Sequence, residues 1–276
     1  MMNNEQQLNI AFWGTPEFTV PILQRMKHVG LTPNLVITNP DRPQGRRQST
    51  LVPPAPKIWA DDNDIAVLQP EKLDDDFFAT LSSQTWDVFI VVAYGKILPE
   101  RLINLPTHGT LNIHYSLLPR HRGASPVHAT ILSGDDETGV SIQKMVYALD
   151  AGDVIADARI ELDGTETTPE LIDVLSNIGA DLLADILPEY LNGNMTPRMQ
   201  DKNEVTVCKK IIKDNAELLP ADTDETKWRK YRAYKGWPDV FYFDNDKRIK
   251  ITDANYIDGI FIIKKIIPEG GNEIEV

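Results

Sequence analysis

Short apolar runs separated by longer amphipathic stretches dominate the first two thirds of the chain. They fall at Leu8 to Phe12, Asn34 to Thr38, Val67 to Leu68, Asp87 to Ala93, Thr110 to His114 and Val140 to Met145. Turn residues bound them, and near-continuous apolar runs of this length suit strands covered on both faces. The pattern predicts β-α units around a buried, mainly parallel sheet, which is an α/β, Rossmann-like fold with flanking helices. Thr15 and Pro16 follow the first run in the N-cap and N1 order of a helix running to about His28. Val154 to Leu162 predicts a further strand, and Thr168-Pro169-Glu170 opens the longest helix, to about Leu191. Its apolar positions Leu171, Val174, Leu175, Ile178, Leu182, Leu183, Ile186 and Leu187 keep helical spacing, as expected of a helix packed on the sheet.

The pattern then changes. Asn192-Gly193-Asn194 stops the helix, and Thr196 to Glu204 reads as a linker. Beyond it, Thr223 to Tyr234 predicts a short helix, and Val240 to Phe243, Arg248 to Thr252 and Gly259 to Ile266 predict strands. Asp244-Asn245-Asp246 is the turn between the first two. The chain therefore divides into residues 1–204, an α/β domain with its linker, and residues 205–276, a small β-rich domain.

Composition narrows the class. The 276 residues include 28 Lys and Arg against 41 Asp and Glu, a net charge of −13. No apolar run is long enough to span a bilayer. The start, MMNNEQQLNIAFWG, has neither a basic n-region nor an Arg-rich amphipathic character, so a cytoplasmic location is expected. Cys208 is the single cysteine, and no Cys/His spacing suggests a metal site. The acidity on average argues against a nucleic-acid partner, since phosphates are neutralised by Lys and Arg.

The candidate chemistry is concentrated in Asn112-Ile113-His114 and in Leu149-Asp150-Ala151-Gly152-Asp153. On a strand, Asn112 and His114 project to the same face. An amide beside an imidazole can polarise a carbonyl and hold the oxyanion formed when a nucleophile adds, and His transfers protons near neutral pH. A carboxylate at Asp150 can orient that His. Taken alone, the first motif reads equally as a strand end with a satisfied core histidine and the second as a turn. Together, at the carboxyl ends of strands, they fit acyl or one-carbon transfer. No Ser or Cys lies in a nucleophile elbow, so direct transfer without a covalent enzyme intermediate is expected. A GxGxxG or GxxxxGK[ST] loop is absent, leaving a classical dinucleotide site or P-loop unsupported.

The motifs Asn112-x-His114-x-Ser116-Leu117-Leu118-Pro119, Arg120-x-Arg122-Gly123-Ala124-x-Pro126 and Leu149-Asp150-x-Gly152-Asp153 resemble the folate-dependent formyltransferases. Phe12-x-Gly14-Thr15-Pro16-x-Phe18, Pro40-Asp41-Arg42-Pro43-x-Gly45-Arg46 and Val91-x-Ala93-Tyr94-Gly95-Lys96-Ile97-Leu98-Pro99 resemble the branch of that family acting on methionyl-tRNA, as does Arg232-Ala233-Tyr234-x-x-Trp237-Pro238. The resemblance implies 10-formyltetrahydrofolate as co-substrate donor, the α-amine of initiator methionyl-tRNA as acceptor, and no metal. It implies Asn112, His114 and Asp150 as the catalytic trio. Ser116, Leu117, Leu118 and Pro119, with Tyr94 and Gly95, would seat the folate. Arg42, Arg46, Arg47 and Lys57 would contact the tRNA acceptor stem, and the second domain would be a shortened OB-like unit. A monomer suffices for all of this, with no membrane partner.

Three other readings compete. A sugar N-formyltransferase shares the trio but should lack the basic Arg42 to Lys57 loop and the Arg232 to Pro238 segment. A non-catalytic tRNA- or folate-binding module has no need of the whole trio. A formyltetrahydrofolate hydrolase usually carries a further N-terminal domain, for which a chain with its first strand at Leu8 has no room. The charge distribution removes most of the objection to a nucleic-acid partner. Residues 205–276 balance 13 cations against 13 anions, so the deficit lies in residues 1–204, yet Arg42 to Lys57 and Arg101 to Gly134 contain no acidic residue.

Overall fold

The computed structural model describes residues 8–44 and 50–276. Along the chain run β1 (Ile10–Gly14), α1 (Val20–His28), β2 (Leu35–Ile37), β3 (Arg42–Gln44), β4 (Thr50–Val52), α2 (Ala55–Asp61) and β5 (Ala66–Leu68). Next come α3 (Asp75–Ser82), β6 (Val88–Val92), α4 (Glu100–Ile103), β7 (Thr110–His114), β8 (Arg122–Gly123) and α5 (Pro126–Ser133). They are followed by β9 (Glu137–Lys144), β10 (Val154–Glu161), α6 (Thr168–Leu191), β11 (Val207–Cys208) and α7 (Asp224–Ala233). The chain ends with β12 (Phe241–Asp244), β13 (Lys247–Ile257), β14 (Ile260–Pro268) and β15 (Ile274–Glu275).

Seven strands form one sheet in the order β10-β9-β7-β6-β1-β2-β5. The five from β7 to β5 are parallel, while β9 and β10 complete the edge antiparallel. All five residues of β1 and of β6 are buried, which is why both read as unbroken apolar runs. The two faces carry separate cores. Ile10, Phe12, Ile90, Leu111 and Ile113 pack with α1 and α6, and Ala11, Trp13, Phe89 and Val91 pack with α3 and α4.

Helix α6 has the predicted bounds, with Glu170 Oε2 accepting from the Thr167 N–H at 2.9 Å to cap its start. Leu171, Leu175, Leu183 and Leu187 are buried, each contributing about 1.5–3 kcal/mol of burial free energy. Val174 departs from the expected face and lies 46% exposed.

The first helix begins differently from the sequence expectation. Pro16 is extended, with ψ 157°, and a short 3-10 turn at Glu17–Thr19 precedes α1. The Thr15 hydroxyl caps no helix. It accepts from Asn39 Nδ2 at 2.9 Å and donates to the Tyr94 carbonyl at 3.2 Å, while Asn39 Nδ2 also donates to that carbonyl at 2.7 Å. Threonine at this position thus ties together the carboxyl ends of β1, β2 and β6.

Toward the C-terminus, β12, β13, β14 and β15 form an antiparallel sheet in chain order. Asn245 and Asp246 turn between β12 and β13 with φ of 47° and 61°, the left-handed pair that a tight hairpin favours. Helix α7 packs on this sheet through Tyr231 and also against α5. The sheet does not close, β12 and β15 being its edges. The short strand β15, at Ile274–Glu275, was not anticipated in the sequence. No helix among the described residues is long and apolar enough to cross a membrane.

Candidate active site

Strand alternation decides what β7 presents. Leu111 and Ile113 enter the core under α6, so Asn112 and His114 project from the opposite face. Gly179 lets α6 come this close, because a β-carbon there would stand 3.0 Å from Ile113 Cγ2.

Asp150 meets both side chains. Asn112 Nδ2 lies 3.4 Å from Asp150 Oδ1, and His114 Nδ1 lies 3.7 Å from Asp150 Oδ2. His114 is 5% exposed, so water screens this pair poorly. His114 Nε2 is 3.0 Å from the carbonyl of His121. A carbonyl only accepts, so Nε2 is the donor there, which leaves Nδ1 facing Asp150. The three groups expected as a trio thus lie together at the end of β7, His114 buried and Asn112 and Asp150 half-buried.

The other sequence-derived residues are placed as follows. Ser116 is buried, and its hydroxyl donates to the Arg120 carbonyl at 2.7 Å. Leu118 and Pro119 are buried and Leu117 is half-buried; all three border a cleft of about 770 Å³ that none of the trio lines. Tyr94 packs its ring against Trp13, and burial pushes its phenol up to about 12. Gly95 is exposed with φ 83°, after an exposed Ala93 at φ 46°, so this segment offers backbone to a ligand. Arg42 is exposed on β3. Lys57, on α2, places its ammonium 2.9 Å from both carboxylate oxygens of Asp41. A hydrogen bond from Gln69, together with the bonds from Lys57, holds Asp41 below the usual carboxylate range. Arg46 and Arg47 lie outside the described residues. Among the described residues no group of three or more His, Cys, Asp or Glu could hold a metal ion.

The family model for formyl transferases matches residues 8–187, which is more than half the chain and contains the whole trio. The chain belongs to the formyl transferase family. A methionyl-tRNA formyltransferase of Listeria welshimeri is 39% identical over 250 residues, 90% of this chain and 80% of the relative. Among solved structures, the methionyl-tRNA formyltransferase of Clostridium thermocellum is similar over 98% of this chain and all of that one, with TM-score 0.63 and 18% identity. An N-formyltransferase of Helicobacter canadensis, in complex with folinic acid and dTDP-3-aminofucose, reaches TM-score 0.68 at 16% identity, covering 91% of this chain and 89% of that chain. The last two likenesses speak to the formyl transferase fold.

Several residues around this candidate site escape sequence reasoning. Ser141, buried on β9 opposite His114, donates to the Ser116 carbonyl at 2.8 Å and accepts from the Leu118 N–H at 3.0 Å, fixing the loop after β7. The stretch expected as a linker is built into the site. Arg198 bridges to Val154, Gln200 reaches the Asp150 turn, and the Thr206 carbonyl accepts from the Arg122 N–H at 2.9 Å. Cys208 pairs beside Gly123, with its thiol pushed up by burial. Lys96, whose ammonium donates to the carbonyls of Pro70 and Glu71, is held below its usual value by desolvation and by nearby Arg42. Only a run of like-charged residues in sequence could have revealed that pair, and 54 positions separate its members.

Proposed function

We propose that the chain transfers the formyl group of 10-formyltetrahydrofolate to the α-amine of methionine carried by initiator tRNA. The observation that carries the reading is the convergence of Asn112, His114 and Asp150 on one solvent-poor point, within a chain 39% identical to a methionyl-tRNA formyltransferase over 90% of its length. When bound, the folate supplies the activated formyl carbon. The exposed Ala93 and Gly95 and the exposed apolar Tyr147 and Leu149 near Asp150 suit a flat aromatic donor.

As the amine adds, negative charge develops on the formyl oxygen. Asn112 donates an amide N–H toward it, and protonated His114 donates from Nδ1. His114 then moves a proton between the attacking and departing amines, with Asp150 stabilising the imidazolium. The new C–N bond forms as the old one breaks, and the proton lost by the methionine nitrogen balances the one gained by the folate nitrogen. No protein nucleophile intervenes.

We assign the chemistry to residues 1–204 and part of the RNA contact to residues 205–276, acting in a monomer. Arg42, with Arg46 and Arg47, positions the acceptor stem through phosphates. Lys57, already paired to Asp41, contributes less than Arg42. In a formylation assay the purified protein should convert charged initiator tRNA to its formylated form, and no product would refute the reading. Arg42→Ala should raise KM for tRNA severalfold, more so at low salt, and leave KM for the folate unchanged. An unaltered response to tRNA concentration would remove Arg42 from the interface.

A further inference from the structure

Asp150 adopts φ 48°, a left-handed conformation uncommon for a residue with a β-carbon and tolerated by aspartate in turns. Two glutamines outside every motif hold this turn. Gln143, 1% exposed on β9, lies in register opposite Asn112. Its Nε2 donates to Asp150 Oδ1 at 2.9 Å and its Oε1 accepts from the Gly152 N–H at 3.1 Å, so one amide fixes both the carboxylate and the turn. Gln200 holds the backbone from the other side. Its Nε2 donates to the carbonyls of Asp150 at 2.9 Å and Gly152 at 2.6 Å, while its Oε1 accepts from Arg122 Nε at 2.9 Å and Nη2 at 2.7 Å.

The distances divide the donors into two classes. Asp150 takes its short bonds from the Gly123 N–H, at 2.8 Å, and from Gln143. Asn112 and His114 stand farther off, at 3.4 and 3.7 Å. The carboxylate is therefore fixed without consuming the N–H groups that the reacting formyl oxygen needs. We propose that Gln143 and Gln200 are positioning residues for formyl transfer, Gln143 orienting the Asp150 carboxylate, Gln200 locking the turn that carries it. This rests on the role assigned to Asp150 above.

Gln143→Met keeps the side-chain length and removes the donor. It should lower kcat by about tenfold to hundredfold, the loss of one charge-assisted hydrogen bond, with KM for folate and tRNA within about twofold. The acid limb of the kcat–pH profile should move to higher pH, because a carboxylate deprived of a donor binds its proton more tightly. The charged or titratable groups facing Asp150 are His114 on β7, Cys208 on β11 and, through Gln200, Arg122 on β8. Gln143→Glu sets a second carboxylate against Asp150 and should move the limb further the same way.

If Gln143 only fills the core, Gln143→Met will melt earlier yet keep kcat and the pH limb, and the proposal is overturned. Should that variant fail to fold, half-buried Gln200→Leu gives the same readout: a fall in kcat at constant KM supports the proposal, and unchanged kcat refutes it. Asp150→Asn is run in parallel. Its inactivity beside a fully active Gln143→Met defeats this inference alone, whereas an active Asp150→Asn defeats the underlying assignment as well.

Discussion

Asp150→Asn should fold normally and lose about a thousandfold in kcat, with KM for both substrates changed by no more than a few fold. Asparagine has nearly the same shape, and its oxygen can still accept the Gly123 N–H that now reaches Asp150 at 2.8 Å. The charge disappears, together with the acceptor that Gln143 Nε2 now reaches at 2.9 Å. His114 Nδ1 would then face a neutral amide at the position where a carboxylate now lies 3.7 Å away, so a proton taken up on Nδ1 gains no stabilisation. His114→Ala should cost a similar factor by removing the proton carrier itself. The effect belongs in kcat because the trio acts on charge that develops only during transfer. Single-turnover measurement with saturating tRNA would check this, and turnover within tenfold of the parent would remove that residue from the mechanism.

Gly123→Ala should disturb both stability and catalysis. Gly123 has φ 123°, a backbone conformation open to glycine, and an added β-carbon would stand 2.1 Å from the Cys208 carbonyl oxygen. The methyl group has no flexible side chain to push aside; it meets backbone. Either β11 separates from β8 or the loop after β7 shifts, at a cost of about 3 kcal/mol or more. In a chain of this size that lowers the melting temperature by roughly 6–10 °C. The Gly123 N–H is also a donor to Asp150, so kcat should fall even at temperatures where the variant is folded. A variant with parental melting and turnover would show that the loop moves without penalty.

Much of the fold was legible because burial writes itself into composition. The all-buried β1 and β6 read as apolar runs, and the alternation in β7 placed Asn112 and His114 on one face. Helix α6 was recognisable from its Thr-Pro-Glu start and helical spacing. What could not be read were hydrogen bonds closed across long separations. Thr15 looks like a helix cap locally, but Asn39 and Tyr94 compete for its hydroxyl and win. Gln143 and Gln200 carry no motif, since an amide becomes informative only when the fold supplies its partners. The polar, apparently featureless Thr196 to Glu204 segment is held for that reason.

Charge shows the same limit. Arg42 to Lys57 and Arg101 to Gly134 are acid-free windows in the sequence of an acidic domain. In space the acids at their borders fold back onto them. Asp41 binds Lys57, and Asp135 binds both Arg120 at 2.5 Å and His121 at 2.7 Å. Arg122 is engaged by Gln200. The electrostatic case for the RNA contact therefore rests mainly on Arg42 and its neighbours Arg46 and Arg47. This narrower patch still fits an acidic protein that docks a polyanion in few orientations, with repulsion elsewhere discouraging non-specific contact.

The acceptor is the deciding question, because a similar fold is found in an N-formyltransferase complexed with dTDP-3-aminofucose. The purified protein, given 10-formyltetrahydrofolate with charged initiator tRNA and a nucleotide-linked amino sugar side by side, should formylate the methionyl ester and leave the sugar amine untouched. Formylated sugar with no formylated methionine would contradict it.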